Sequence, residues 1–105
     1  MTDLAMHEQT YLPNGSHPLR VMNRTKRNLM PAVADVDTRC YLADFAAMHN
    51  DPPPAGCLRV IKAGSHYLRH RVDGIAWQLD GRTFDYCAPC ACRELACYGV
   101  VEVPR

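Results

Sequence analysis

Six cysteines in 105 residues constrain this chain more than any other feature of it. A chain of that length forms one domain with a modest core. Its thiols have three possible fates: disulfides, metal ligands, or small buried side chains. The start, Met1-Thr-Asp-Leu-Ala-Met-His-Glu8, is acidic and lacks the apolar run of a secretory signal. No stretch approaches the roughly 18 apolar residues of a membrane span. The expectation is a cytoplasmic protein with reduced thiols and no membrane partner. That favours metal ligation over disulfides.

Cys87-Ala-Pro-Cys90 has the C-x2-C spacing that lets two thiolates reach one tetrahedral Zn2+ at about 2.3 Å. Cys57 stands alone behind Pro52-Pro-Pro-Ala-Gly56. Zn2+ on Cys57, Cys87 and Cys90 is therefore expected. The fourth ligand is open between Cys40, His49 and another histidine or cysteine. Residues 36–49 read as one helix, with Tyr41, Phe45 and Met48 at helical spacing, Asp35 as N-cap and Asn50 as its stop. Cys40 and His49 are then about 13 Å of rise apart and half a turn out of phase, so they cannot both bind one ion. His49, at the helix end near Cys57, is the better placed. Cys40 then becomes a buried small hydrophobe.

Two other uses of these thiols compete with zinc. A redox C-x-x-C needs a βαβ frame around its acidified thiol, which the residues after Cys90 do not supply. An iron–sulfur cluster needs four thiolates, and C-x2-C-x-C-x4-C does not fit ferredoxin spacings. Cys92 and Cys97 read as packing or spare thiols, either able to stand in as the fourth ligand.

Asp73-Gly74 and Asp80-Gly81 are strong two-residue hairpin signals. They predict a three-stranded antiparallel meander over about 66–72, 75–79 and 82–86. Val72 would pair with Ile75, His70 with Trp77, and Trp77 with Phe84. That register gathers Leu68, His70, Val72, Ile75, Trp77, Leu79, Phe84 and Tyr86 on one face. Tyr67, Arg69, Arg71, Ala76, Gln78, Thr83 and Asp85 fall on the other. The helix at 36–49 should cover the apolar face. A second helix should run from Cys87 to about Tyr98, with Gly99 at C′. Val100 to Val103 then offers an edge strand. The fold class expected is a small zinc-stabilised α+β domain over residues 34–105. A turn-rich, basic segment over residues 1–33 precedes it.

The run Cys57-Leu-Arg-Val-Ile61-Lys-Ala-Gly64-Ser-His-Tyr67, followed by Asp73-Gly74 and closed by Cys87-Ala-Pro-Cys90-Ala, resembles small treble-clef zinc-finger proteins of phages and mobile elements. Those read C-x2-C-x3-I-x2-G-x2-Y, then a hairpin, then C-x2-C-A. The match covers about 57–91, a third of the chain. It implies a structural zinc on Cys57, Cys87 and Cys90. Pro54 stands where the pattern has its first cysteine, so the remaining ligand must come from elsewhere or the metal has been lost.

Twelve basic and eleven acidic residues leave a formal charge of +1, so bulk charge does not draw this chain to polyanions. Its charges are segregated, however. Arg20, Arg24, Lys26 and Arg27 fall within eight residues, Arg69 and Arg71 share the polar sheet face, and the acids Asp35, Asp37, Asp44 and Asp51 cluster elsewhere. These six cations are the candidate nucleic-acid contacts. No nucleotide-binding loop or Ser–His–Asp order is present. The function expected is a non-enzymatic binding protein, a phage-type inhibitor or adaptor of a host protein. A nucleic-acid-binding module is the alternative, and a small thiol or metal enzyme using Cys87 and Cys90 the third reading.

Overall fold

The computed structural model describes residues 13–72 and 81–103. They form a small α+β domain of antiparallel strands and two short helices. In chain order the elements are β1 (Leu19–Val21), β2 (Leu29–Val33), β3 (Thr38–Arg39), α1 (Tyr41–Met48), β4 (Val60–Ile61), β5 (His66–Arg71), β6 (Thr83–Cys87), α2 (Ala88–Glu94), a 3-10 turn (Ala96–Tyr98) and β7 (Val100–Glu102). The principal sheet has the order β2-β5-β6, and β1-β7 and β3-β4 are separate pairs.

The expected meander is corrected by this topology. Strand 66–72 pairs directly with the strand after Gly81: His70 faces Phe84 and Leu68 faces Tyr86. Val72 and Arg82 close the ladder, the Val72 N–H donating to the Arg82 carbonyl at 2.8 Å. The strands expected first and third in the meander are therefore direct neighbours. Residues 73–80, with Trp77, lie outside the described residues. The two-face reading of β5 and β6 survives the change because side-chain alternation depends on parity, not on which neighbour is paired. Leu68 and Tyr86 remain on one face, Arg69 and Asp85 on the other.

The third strand of the sheet comes from the segment expected to be turn-rich. β2, Leu29-Met-Pro-Ala-Val33, pairs with β5 from Leu29↔His70 to Val33↔His66. Sheet pairing therefore runs up to the boundary expected at residue 33 and across it, since Ala34 N–H donates to the Ser65 carbonyl. Asn28 and Ala34 both bond toward β5, so the intervening odd residues point their backbone groups to the open edge. Pro31 sits at one of those outward positions, where its missing N–H costs no ladder bond.

The helices are shorter than expected and differently phased. α1 starts at Tyr41, with Cys40 in the N-cap position rather than Asp35. Thr38 and Arg39 are extended because they pair with Ile61 and Val60. The C-terminus is a Schellman closure: Asp51 N–H bonds Ala46 O, Asn50 N–H bonds Ala47 O, and Asn50 takes a left-handed φ of 58°. Ala43 and Ala46 are the buried residues of α1. Phe45 is 46% exposed and Met48 77% exposed, so the expected Tyr41–Phe45–Met48 stripe does not cover the sheet. At 100° per residue that stripe lies roughly opposite the side that carries Cys40, Ala43 and Ala46. Only Tyr41 reaches β6, its ring 4.4 Å from that of Phe84.

α2 begins where expected, with Cys87 as N-cap and a proline in its first turn. Gly99 follows at φ 74°. A Cβ there would lie 2.8 Å from that of Met22, so both the conformation and the close approach of β1 require glycine. Two buried clusters result. Leu19, Leu29, Leu68, Ala88, Ala91, Leu95 and Val100 form one. Ala34, Cys40, Ala43, Ile61, Tyr67, Cys87 and Cys90 form the other. β5 and α2 contribute to both.

Candidate metal centre

Three separated stretches of chain deliver four thiols to one point. Cys40 comes from the N-cap of α1, Cys57 from the loop before β4, and Cys87 and Cys90 from the first turn of α2. The sulfur atoms of Cys40, Cys57, Cys87 and Cys90 all lie within 4.8 Å of one another. Four sulfurs at about 2.3 Å from a tetrahedral ion stand about 3.8 Å apart, so a contraction of at most about 1 Å seats the ion. All six cysteines are free thiols. Cys40, Cys87 and Cys90 are fully buried and Cys57 is partly exposed.

Each of the four sulfurs accepts an N–H hydrogen bond. Cys87 N–H donates to Cys40 Sγ at 3.5 Å, Arg59 N–H to Cys57 Sγ at 3.3 Å, and Leu58 N–H to Cys87 Sγ at 3.4 Å. The Arg93 guanidinium donates to Cys90 Sγ at 3.7 Å. Donors aimed at sulfur favour thiolate over thiol. Four thiolates around a dication retain two negative charges, and Arg93 places a cation against them. Its other end is held by the Ala55 carbonyl.

Without a cation the cluster holds few charges. Cys40 falls well below the ordinary thiol range because Cys87 and Cys90 donate to it. Cys87 is pushed up to about 11, chiefly by donating its proton to Cys40. Cys90 rises further, through Cys40 first and then Cys87. One thiolate shared among donors is what such a buried group does alone, and a dication reverses the two raised values.

Three of the four expected ligands meet in the structure. Cys57, Cys87 and Cys90 are brought together, with Cys40 as the fourth sulfur. His49 stands outside, exposed after α1 with its ring 4.6 Å from that of Phe45. Cys92 is half-buried, its thiol pushed to about 11 by burial, and Cys97 is exposed. Neither joins the cluster.

The Cys57 turn carries local strain. Arg59 adopts φ 67°, a left-handed conformation that favours glycine, while its N–H bonds the Cys57 sulfur. Arg59→Gly should therefore raise stability, by about 1 kcal/mol, and Arg59→Val should lower it by at least as much. Chemical denaturation of the two variants checks the sign of each.

The candidate cations divide into two groups. Arg69 is paired with Asp85 across the strands, at 2.9 and 3.3 Å. Arg71 is exposed at the end of β5. Arg20, Arg24 and Lys26 instead line one groove. Arg27 is exposed in the same loop. No described helix is long and apolar enough to cross a membrane. No protein-family model matches the chain. No curated protein and no solved structure matches it either.

Proposed function

We propose that this chain is a non-enzymatic binding module whose fold is fastened by one structural Zn2+ on Cys40, Cys57, Cys87 and Cys90. The observation that carries the reading is the closed set of four mutually close sulfurs, each with its own N–H donor. Tetrahedral sulfur ligation suits zinc or iron, and a catalytic zinc keeps a position open for water or substrate. Four protein ligands leave none. A redox role for Cys87 and Cys90 fits poorly, because reactive thiols are partly exposed, whereas these are fully buried.

The order of parts supports the treble-clef resemblance: a turn carrying Cys57, the β5–β6 pairing, then two cysteines opening α2. Cys40 takes the place of the sulfur missing at Pro54. A protein partner of the phage-inhibitor kind, expected from the same resemblance, would be met by side chains outside the centre. Phe45 and Met48, exposed on α1, are the residues suited to it.

Elemental analysis of the purified protein decides the metal. About one equivalent of zinc per chain is expected, held by the four thiolates and lost to a strong chelator with unfolding. Less than about a tenth of an equivalent of any metal, with stability unchanged by chelation, would end the reading. Iron in place of zinc would keep the site and change its ion.

A further inference from the structure

We infer that the groove between β1 and β2 is a binding site for the phosphate backbone of a nucleic-acid duplex, engaged by Arg20, Arg24 and Lys26. It rests on the reading of the chain as a binding module but uses a surface apart from the metal centre. The groove encloses about 430 Å³, and Pro31 and Val103 are among its apolar walls.

Three observations converge on an anion. Its three cations come from one strand and the turn that follows it, so their backbone positions are fixed relative to one another. That turn is well ordered: the Asn23 side chain accepts from Thr25 N–H at 3.1 Å, and Lys26 N–H bonds the Asn23 carbonyl at 3.1 Å. Met22 N–H bonds the Gly99 carbonyl at 3.0 Å and Asn23 N–H the Tyr98 carbonyl at 3.2 Å, which anchors the turn to the strand pair β1-β7. Lys26 is further placed over the Tyr98 ring, 4.5 Å from its centroid. No ion pair among the described residues involves Arg20, Arg24 or Lys26, whereas Arg39, Lys62, Arg69 and Arg93 each have an acidic partner.

The choice between nucleic acid and an acidic protein follows from the walls. An extended acidic peptide gains affinity in such a groove by adding a strand to an open edge. β2 presents that edge, and Pro31 removes a donor from its middle. A phosphate backbone needs no such ladder, and guanidinium groups match phosphate oxygens two at a time. Single strands would want aromatic platforms for their bases. Among the described residues none lines the groove, which favours the duplex backbone as the occupant.

The test is fluorescence anisotropy with a labelled DNA duplex of arbitrary sequence, titrated with the zinc-loaded protein at several salt concentrations. Three phosphate contacts give a slope of log affinity against log salt of about −2.7, an affinity loss of about 40-fold between 50 and 200 mM. Arg20→Gln combined with Arg24→Gln should bring the slope to about −1 and weaken binding more than tenfold at low salt. Lys62→Gln, remote in sequence and paired with Asp37, should leave both unchanged. Zinc content of every variant is measured alongside, so failure of the metal reading is seen separately. A flat salt dependence, or binding by the double variant equal to the parent's, would overturn the inference. So would poly-glutamate competing as well as unlabelled duplex, which would assign the groove to an acidic protein.

Discussion

Cys40→Ser should abolish tight zinc binding, and His49→Ala should leave it untouched. The serine hydroxyl stays protonated at neutral pH and is a poor ligand, so the substitution removes one of four anionic donors. Loss of a group merely hydrogen-bonded to a ligand costs about 10–100-fold in metal affinity, and loss of the ligand itself should exceed that. The stability consequence is larger than for an ordinary cysteine. Structural zinc contributes roughly 10–16 kcal/mol of apparent binding free energy, drawn from the folded state alone. Here such an ion would join α1, the loop at Cys57 and the β6–α2 corner, three stretches that otherwise meet through the cluster of Ala34, Ala43, Ile61 and Tyr67 and through the Tyr41 ring on β6. The other cluster, centred on Leu68, contains no candidate ligand. Zinc removal should therefore loosen residues from β3 through β4 first and leave the β2-β5 pairing for last. Hydrogen exchange after chelation reads that order directly. Zinc retained by Cys40→Ser and lost by His49→Ala would reverse the assignment.

That contrast also shows what was legible in the sequence. Cys57, Cys87 and Cys90 could be read because local chemistry marks them: a C-x2-C pair at a helix start and a cysteine in a turn of prolines and glycine. The end of α1 at Asn50 and the glycine at 99 were readable for the same reason, since turn and cap residues act within four positions. The place of Cys40 in the cluster was not legible because the start of α1 is set by a remote event. Thr38 and Arg39 pair with Val60 and Ile61, which holds them extended and makes Cys40 the N-cap. Apolar periodicity alone runs the helix back to residue 36 and turns its Tyr41–Phe45–Met48 stripe inward. The thiol at residue 40, once committed to the cluster, sets the opposite phase. β2 was hidden in the same way. Leu29-Met-Pro-Ala-Val33 looks like a broken segment until its pairing to β5 shows that the proline faces an open edge. The meander failed because Asp-Gly pairs signal a turn but not which strands the turn finally joins.

Glu102→Ala should be the most damaging single change outside the two clusters, lowering stability by about 2–4 kcal/mol. Glu102 is buried on β7. Its carboxylate accepts from Gly15 N–H at 2.8 Å, from His17 N–H at 3.4 Å and from Asn14 N–H at 3.4 Å. Bonds to a charged acceptor are the stronger kind, and removing the acceptor leaves a buried N–H with no replacement. The damage should spread, because Gly15 joins two sheets. Its N–H is held by β7 through Glu102, and its carbonyl accepts from His66 N–H at 2.8 Å at the start of β5. Gly15 has φ 86°, and a Cβ on it would meet the His66 carbonyl at 3.1 Å, so no other residue makes this bridge without strain. Glu102→Gln keeps one acceptor oxygen but turns an amide NH2 toward backbone donors, so it should recover only part of the loss. Denaturant midpoints of the two variants, with unchanged slope, measure the size and the order of the effects. Exchange protection at Gly15 and His66 should fall together in Glu102→Ala while that of Leu68, deep in β5, declines only with global stability. Equal stability of all three proteins would mean that water serves these amides as well as the carboxylate does.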